Sequence, residues 1–197
     1  MLLAGGAAQR FGGLAKGLAL VEGTSIADRA LQALRFATDA QVVVCNDPRA
    51  ARWFPELPVF ADAIPGRGPL AGIETGLRAA RGAAIVVVAW DMPFVTGPLV
   101  RTLRARGEKG ADCVVPAHGD PPVLEPLCAW YGAGALLTCS QLLSRGERRA
   151  HALFEALAGR AVVNEDAMQD YGSAARLFLS VDSAAKLEEL GGIMPGE

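Results

Sequence analysis

Lysine is scarce in this chain. Of 19 Lys+Arg residues only Lys16, Lys109 and Lys186 are lysine, so arginine supplies nearly every cation. Histidine is scarcer still, with His118 and His151 alone, which argues against a histidine-based metal site. The four cysteines, Cys45, Cys113, Cys128 and Cys139, form no Cys-x-x-Cys pair and have no neighbouring His to complete a zinc site. Neither sign of charge dominates: the formal net charge is -2. That balance argues against a protein that grips nucleic acid mainly by neutralising phosphates. Long apolar runs are missing too, since the strongest, residues 85–90, falls far short of the roughly 20 residues that span a bilayer. No basic-then-apolar leader precedes Leu2, so a reduced cytoplasmic protein with no membrane partner is expected.

What is present is a globular core. Hydrophobic residues make up 51% of 197, which excludes a disordered chain and suits one domain of ordinary size. Runs rich in Val, Ile and Leu predict strands over 41–45, 57–60, 84–89, 112–116, 127–131, 161–163 and 177–181. The run at 84–89 lacks polar alternation, as strands buried on both faces do. Between the runs, helical spacing predicts helices over 25–36, 69–80, 98–106, 133–143 and 183–190. Ser25 reads as the N-cap of the first, with Asp28 in the capping-box position, and Pro69 and Pro98 sit where a first turn tolerates them. Strand–helix alternation of this kind means α/β architecture: a Rossmann-like, three-layer, doubly wound and mostly parallel sheet. One domain over 1–197 is expected, with residues 117–197 forming a lobe over the sheet edge.

The segment Leu3-Ala4-Gly5-Gly6-Ala7-Ala8-Gln9-Arg10-Phe11-Gly12-Gly13-Leu14-Ala15-Lys16 joins the first strand to the first helix. In an open parallel sheet that is where ligands bind, outside the carboxyl ends of the strands. Glycines there let backbone N–H groups approach an anion, and Arg10 and Lys16 add positive charge. The spacing fits neither a Walker A loop nor Gly-x-Gly-x-x-Gly, and a plain strand–helix turn is the competing reading. A lysine in a chain that nearly always chooses arginine favours a compact charge for a phosphate. Asp91 ends the run at 85–90 and reads either as a Mg2+ ligand or as a helix N-cap. Asp182, after the run at 177–181, carries the same pair of readings. Asn46 and Asp62 also close strands, where ligand contact and turn chemistry compete. Gly72 and Gly76, four apart, suit close packing or a bound base; Arg148 and Arg149 suit a phosphorylated substrate or a solvated helix start. Trp53, Trp90 and Trp130 read as packing, and the histidines find no partner.

The segment Leu3-Ala4-Gly5-Gly6, with Arg10-Phe11-Gly12-Gly13 and Lys16-Gly17, resembles the signature loop of nucleotidyltransferases that activate phosphorylated metabolites. More narrowly, the chain resembles the molybdenum cofactor guanylyltransferases. The resemblance continues in order through Val44-Cys45-Asn46, Asp62, Gly68-Pro69-Leu70-Ala71-Gly72, Asp91-Met92-Pro93-Phe94, Gly146-Glu147-Arg148-Arg149 and Val181-Asp182-Ser183. It implies a fold of nucleotide-diphospho-sugar transferase type, with residues 1–116 as the nucleotide-binding half and 117–197 as the acceptor-side lobe. It implies transfer of GMP from GTP to the terminal phosphate of a molybdopterin-type cofactor, with release of pyrophosphate. Arg10 and Lys16 would act in catalysis, and Leu3, Ala4, Gly5, Gly6, Lys16, Asn46, Asp62, Gly68, Pro69, Leu70 and Asp91 would bind the nucleotide. Asp91 would hold Mg2+, with Asp182 as a second ligand. Other cofactor-assembly proteins and recipient enzymes are the implied partners. The choice of guanine rests on the two glycine motifs. A cytidylyltransferase, or another phosphometabolite nucleotidyltransferase, is the nearest alternative. A nucleotide-binding accessory protein is the alternative of another class, because Ala15, Ser180 and Asp182 depart from the family's usual residues.

Overall fold

The strand Ile85–Ala89 is buried along its whole length and forms the spine of the computed structural model, which describes residues 1–5 and 15–194. In chain order the strands are β1 (Leu2–Leu3), β2 (Leu20–Val21), β3 (Thr24–Ser25), β4 (Val43–Val44), β5 (Val59–Phe60), β6 (Ile85–Ala89), β7 (Cys113–His118), β8 (Val123–Leu124), β9 (Cys128–Tyr131) and β10 (Arg160–Asn164). The main sheet runs β10-β7-β9-β6-β1-β4-β5, with β8 paired to β7. Parallel pairing joins β6, β1, β4 and β5, and also β7 and β10. Only β9 runs against its neighbours β6 and β7 within that order, so the sheet is mostly parallel.

The helices are α1 (Ile26–Arg35), α2 (Ala50–Trp53), α3 (Gly68–Ala79), α4 (Gly97–Gly107), α5 (Ala135–Ser144), α6 (Ala150–Ala156), α7 (Ala174–Leu177) and α8 (Ala184–Glu189). Alternate side chains of each strand point to opposite faces. Leu2, Val43, Val86 and Val88 pack with α1 and α4 through Leu31, Leu34, Leu99 and Leu103. Leu3, Val44, Ile85 and Val87 pack with α3, α5 and α6 through Leu70, Ile73, Cys139 and Leu153. Two cores on one sheet give the three-layer, doubly wound α/β fold that the alternation implied. Ser25 caps α1 as expected: its Oγ accepts the Asp28 N–H at 3.0 Å and donates to Asp28 Oδ2 at 2.6 Å.

The later third contributes β9 to the interior of the sheet, between β6 and β7. The strand expected over 177–181 is not one. Leu177 closes α7, and Leu177, Phe178 and Val181 are buried at i, i+1 and i+4, a spacing that strand alternation cannot produce. Val181 is held instead by its N–H, which donates to the Asp91 carbonyl at 2.8 Å. The hairpin of β2 and β3 and the short α2 escaped the sequence reading. The hairpin turns on Glu22 and Gly23, both at positive φ, as a two-residue connection requires. No described helix is long and apolar enough to cross a membrane.

Candidate active site

The strand order reverses at β1. In sequence the sheet grows from β1 to β4 and β5 on one side, then returns to place β6 on the other. Such a switch point opens a crevice at the carboxyl ends of the two central strands. Here the crevice lies between Leu3 and Ala89, paired neighbours whose chains continue to Gly5 and Asp91. The Trp90 N–H donates to Leu3 O at 3.1 Å and the Ala4 N–H donates to Val44 O at 2.8 Å, so the backbone stays tied to the sheet through Ala4. Leu3 and Ala4 are buried, and Gly5 is exposed where the chain leaves the sheet. Gly6 and Arg10 lie outside the described residues, as does the rest of 6–14.

Lys16 is the first functional candidate after that segment. Its Nζ donates to Asp91 Oδ2 at 2.5 Å, with the two side chains only 19% and 16% exposed. Ser180 Oγ donates to the same oxygen at 3.0 Å. The residues next to this pair are also in contact, because Gly17 lies against the face of the Trp90 indole. The N-cap reading of Asp91 therefore fails: α4 begins six residues later behind Thr96. It fails for Asp182 as well, because Ser183 caps α8 by accepting the Lys186 N–H at 3.3 Å. Asp182 is exposed, and its side chain makes no hydrogen bond or ion pair among the described residues.

Asn46 and Asp62 meet at the ends of β4 and β5. Asn46 Nδ2 donates to Asp62 Oδ2 and the Asp62 N–H donates to Asn46 Oδ1, both at 2.8 Å. Thr75 on α3 donates to Asp62 Oδ1 at 2.9 Å. The turn that follows is closed by Asp47, whose Oδ1 accepts the Arg49 N–H at 2.8 Å, so turn chemistry does not occupy Asn46. Gly68 and Pro69 are exposed at the start of α3, on the same edge of the sheet, and Leu70 is buried. The Leu70 N–H donates to Arg148 O at 3.2 Å, and a Cβ on Gly68 would meet that carbonyl at 2.8 Å. Gly72 and Gly76 are explained by packing, since Cβ atoms there would strike Leu3 and Met1 of the sheet. Arg149 is paired to Glu147 at 2.8 Å. Glu147 also accepts the N–H groups of Arg148 and Arg149, and these contacts, Arg149's side chain foremost, draw its carboxyl down to about 2.

Across β6 from that group, the edge carries a pair that no motif in the chain joins. His118 at the end of β7 and Glu125 before β9 meet at 3.0 Å, Nε2 to Oε1. The His118 ring stacks on Phe178 with centroids 5.0 Å apart. Burial pushes the Glu125 carboxyl above its usual range, against the opposing pull of His118. Thr75, Ser180, His118 and Glu125 thus join the candidate residues at this edge, and motif reasoning missed them. Ser180 alone left a trace, as a departure from a resembled pattern. A groove of about 490 Å³ lined by Phe36, Phe94, Thr96 and Tyr171 contains none of the groups at the strand ends.

No cluster of three His, Cys, Asp or Glu residues able to hold a metal occurs among the described residues. The edge instead offers single oxygen donors. One carboxylate, Asp91, with the remaining ligands drawn from substrate phosphates and water, is how proteins commonly hold Mg2+.

The MobA-like NTP transferase domain matches residues 1–162, a span that takes in the glycine loop, Lys16, Asn46, Asp62 and Asp91. The chain belongs to the MobA-like NTP transferase family. The molybdenum cofactor guanylyltransferase of Desulfosudis oleivorans is 30% identical, the alignment covering 82% of this chain and 79% of that protein. That of Pseudomonas putida is 32% identical over 75% of this chain and 77% of its own. Among solved structures, molybdopterin-guanine dinucleotide biosynthesis protein A of Archaeoglobus fulgidus superposes with a TM-score of 0.78 at 26% identity, covering 96% of this chain and 94% of that one. The MobA-like match ends before Asp182 and before Ser180, which touches Asp91.

Proposed function

We propose that the chain transfers GMP from GTP to the terminal phosphate of a molybdopterin-type cofactor and releases pyrophosphate. The observation that carries this reading is the Lys16–Asp91 pair at the switch point, in a chain of the MobA-like NTP transferase family. A cation able to meet phosphate and a carboxylate able to meet a metal stand together where such sheets bind nucleotides. The names of the guanylyltransferase relatives support guanine.

In this reading the nucleotide lies over the ends of β1, β4 and β5. The backbone of Leu3, Ala4, Gly5 and Gly6, with Gly68, Pro69 and Leu70 at the start of α3, flanks the phosphates and base. The Asn46–Asp62 pair faces the nucleoside. Asp91 holds a divalent cation, Mg2+ in this proposal, with exposed Asp182 as the second candidate; when bound, that ion neutralises charge on the triphosphate. Lys16, with Arg10, neutralises the transferring and leaving phosphates. An oxygen of the acceptor phosphate forms the new bond to the α-phosphorus as the bond to the pyrophosphate oxygen breaks in line. The acceptor is already an anion, so no general base is required, and positioning with charge stabilisation carries the rate. The other cofactor-assembly proteins and recipient enzymes are proposed as partners on the same reading.

The test is pyrophosphate release with GTP or CTP in the presence of molybdopterin. Release with GTP at least tenfold above CTP is expected. A preference for CTP overturns the guanine assignment, and nucleotide binding without release by either overturns the enzymatic reading in favour of an accessory protein.

A further inference from the structure

Glu125 is a half-buried carboxylate with a free oxygen at the edge of the sheet. Its side chain is 17% exposed, and its Oε1 is paired with His118. Its Oε2 has no hydrogen-bond partner among the described residues. Oε2 is open to solvent, and each oxygen of the carboxylate can accept two hydrogen bonds, so the group retains free acceptor capacity for a ligand. The surrounding chain holds it at the edge of the sheet beside Asp91. Two residues on, Leu127 O accepts the Ala89 N–H at 2.9 Å, and Ala89 is two residues before Asp91. From the other side, Val181 bonds the Asp91 backbone while Phe178 stacks on His118. Glu125 and His118 therefore flank Asp91 on the β9 and β7 side, and Asn46 and Asp62 lie on the β4 and β5 side. With strands about 4.8 Å apart, three to four strand positions separate Glu125 from Asn46 and Asp62, roughly 14–19 Å.

We propose that Glu125, oriented by His118, binds the amino-pyrimidinone edge of the acceptor's heterocycle. A 2-amino-4-oxo ring presents a ring N–H and an amino N–H side by side, two donors that match the two oxygens of one carboxylate. His118 acts as a positioning residue: its Nε2 fixes Oε1, and Phe178 holds its ring flat. The edge chemistry is shared by a pterin and by guanine. The separation from Asn46 and Asp62 assigns this edge to the pterin, since in the proposed function the nucleoside occupies the other side. This inference rests on the proposed function.

The experiment measures binding without turnover. The probe is 6-hydroxymethylpterin monophosphate, followed by its own fluorescence, and GTP binding is measured separately. Glu125→Gln keeps the shape but loses one acceptor and the charge. Pterin binding is expected to weaken about 10–100-fold, the cost of leaving charged hydrogen bonds unmade. GTP affinity and the thermal midpoint are expected to stay near wild type. A 2,4-dioxopteridine monophosphate, which lacks the amino group, is expected to bind wild type at least about tenfold more weakly than the pterin, and Glu125→Gln is expected to lose that discrimination. Unchanged pterin binding in the variant overturns the proposal, as does a loss confined to GTP, which would place guanine here instead. Loss of GMP transfer with pterin discrimination intact would count against the reaction and leave this site standing.

Discussion

Gly17 offers a direct test of whether the lysine's position is set by packing. A Cβ built on Gly17 would lie 2.5 Å from Trp90 Cδ2 and 3.0 Å from Cγ. Ordinary carbon contacts begin near 3.5 Å and Cε3 lies closer still, so Gly17→Ala must open a gap of at least about 1 Å. The indole has little room to yield, being 6% exposed and stacked on Trp53 with centroids 6.1 Å apart. The turn Lys16–Leu18 must then rise, and Lys16 rises with it away from Asp91. Overpacking of this kind costs about 1–3 kcal/mol, which for a chain of this size lowers the thermal midpoint by several degrees. The effect on rate is expected to be larger. Misplacing a catalytic group by about 1 Å can cost on the order of 100-fold in turnover. The control is Gly107→Ala, where a Cβ would overlap the Trp130 indole at least as closely. Trp130 pairs with Val86 near the amino end of β6, far from Asp91, and is equally buried at 6%. Initial rates of pyrophosphate release at saturating substrates and melting curves of both variants decide the matter. Both should melt earlier, and only Gly17→Ala should lose turnover. Wild-type turnover in Gly17→Ala, or an equal loss in Gly107→Ala, refutes the argument.

Two further outcomes follow from the same geometry. Asp91→Asn keeps an acceptor for Lys16 and Ser180 but removes the charge that compensates the mostly buried ammonium, so the thermal midpoint should fall by several degrees while metal-dependent pyrophosphate release in the still folded protein falls by orders of magnitude; retained metal dependence would place the ligand elsewhere. Burial pushes the thiols of Cys113 and Cys139 up to about 11 and about 12, and those of Cys45 and Cys128 upward as well. A raised folded value means that stability is complete below the ordinary thiol value near 9 and declines as pH climbs through about 11–12. Native protein at pH 8 should therefore leave all four thiols unreactive to a disulfide reagent until denaturant is added, and its denaturant midpoint should fall only above about pH 9. Rapid native labelling would contradict their burial.

The parts of the fold that were legible in the sequence are those whose signal is local. A fully apolar strand such as Ile85–Ala89, or Ser25 three residues before Asp28, states its structure in a few neighbouring residues. The end of each such strand then marks a candidate site, which is how Asn46, Asp62 and Asp91 could be chosen before their positions were known, whereas Lys16 stands out as a rare lysine in the glycine loop. Residues 177–181 misled because Leu-Phe-Leu-Ser-Val has strand composition but is buried by tertiary contact, with Val181 tied to Asp91 rather than to a neighbouring strand. The His118–Glu125 pair was illegible for a related reason. The two residues are seven apart across a loop and a two-residue strand, and only the antiparallel return of β8 brings them together. Gly72 and Gly76 had two readings because spacing alone cannot say whether the missing side chain makes room for a ligand or for Leu3 and Met1.

The scarcity of lysine acquires a physical meaning at the crevice. Lys16 and Asp91 are both mostly buried, and either one alone would leave a poorly solvated charge. Together they neutralise each other before any ligand arrives. In the proposed reaction the pair must separate, because Asp91 turns to a cation and Lys16 to phosphate oxygens. An arginine would suit the resting state better, since its planar fork grips a carboxylate through two parallel hydrogen bonds. That grip is a disadvantage where the partner has to be released. Among the described residues the ammonium of Lys16 makes a single contact, to Oδ2, which Ser180 shares. It can pass to a phosphate oxygen as a point charge without breaking a bidentate geometry. A chain that chooses arginine almost everywhere thus places a lysine at the position where the ion pair has to open.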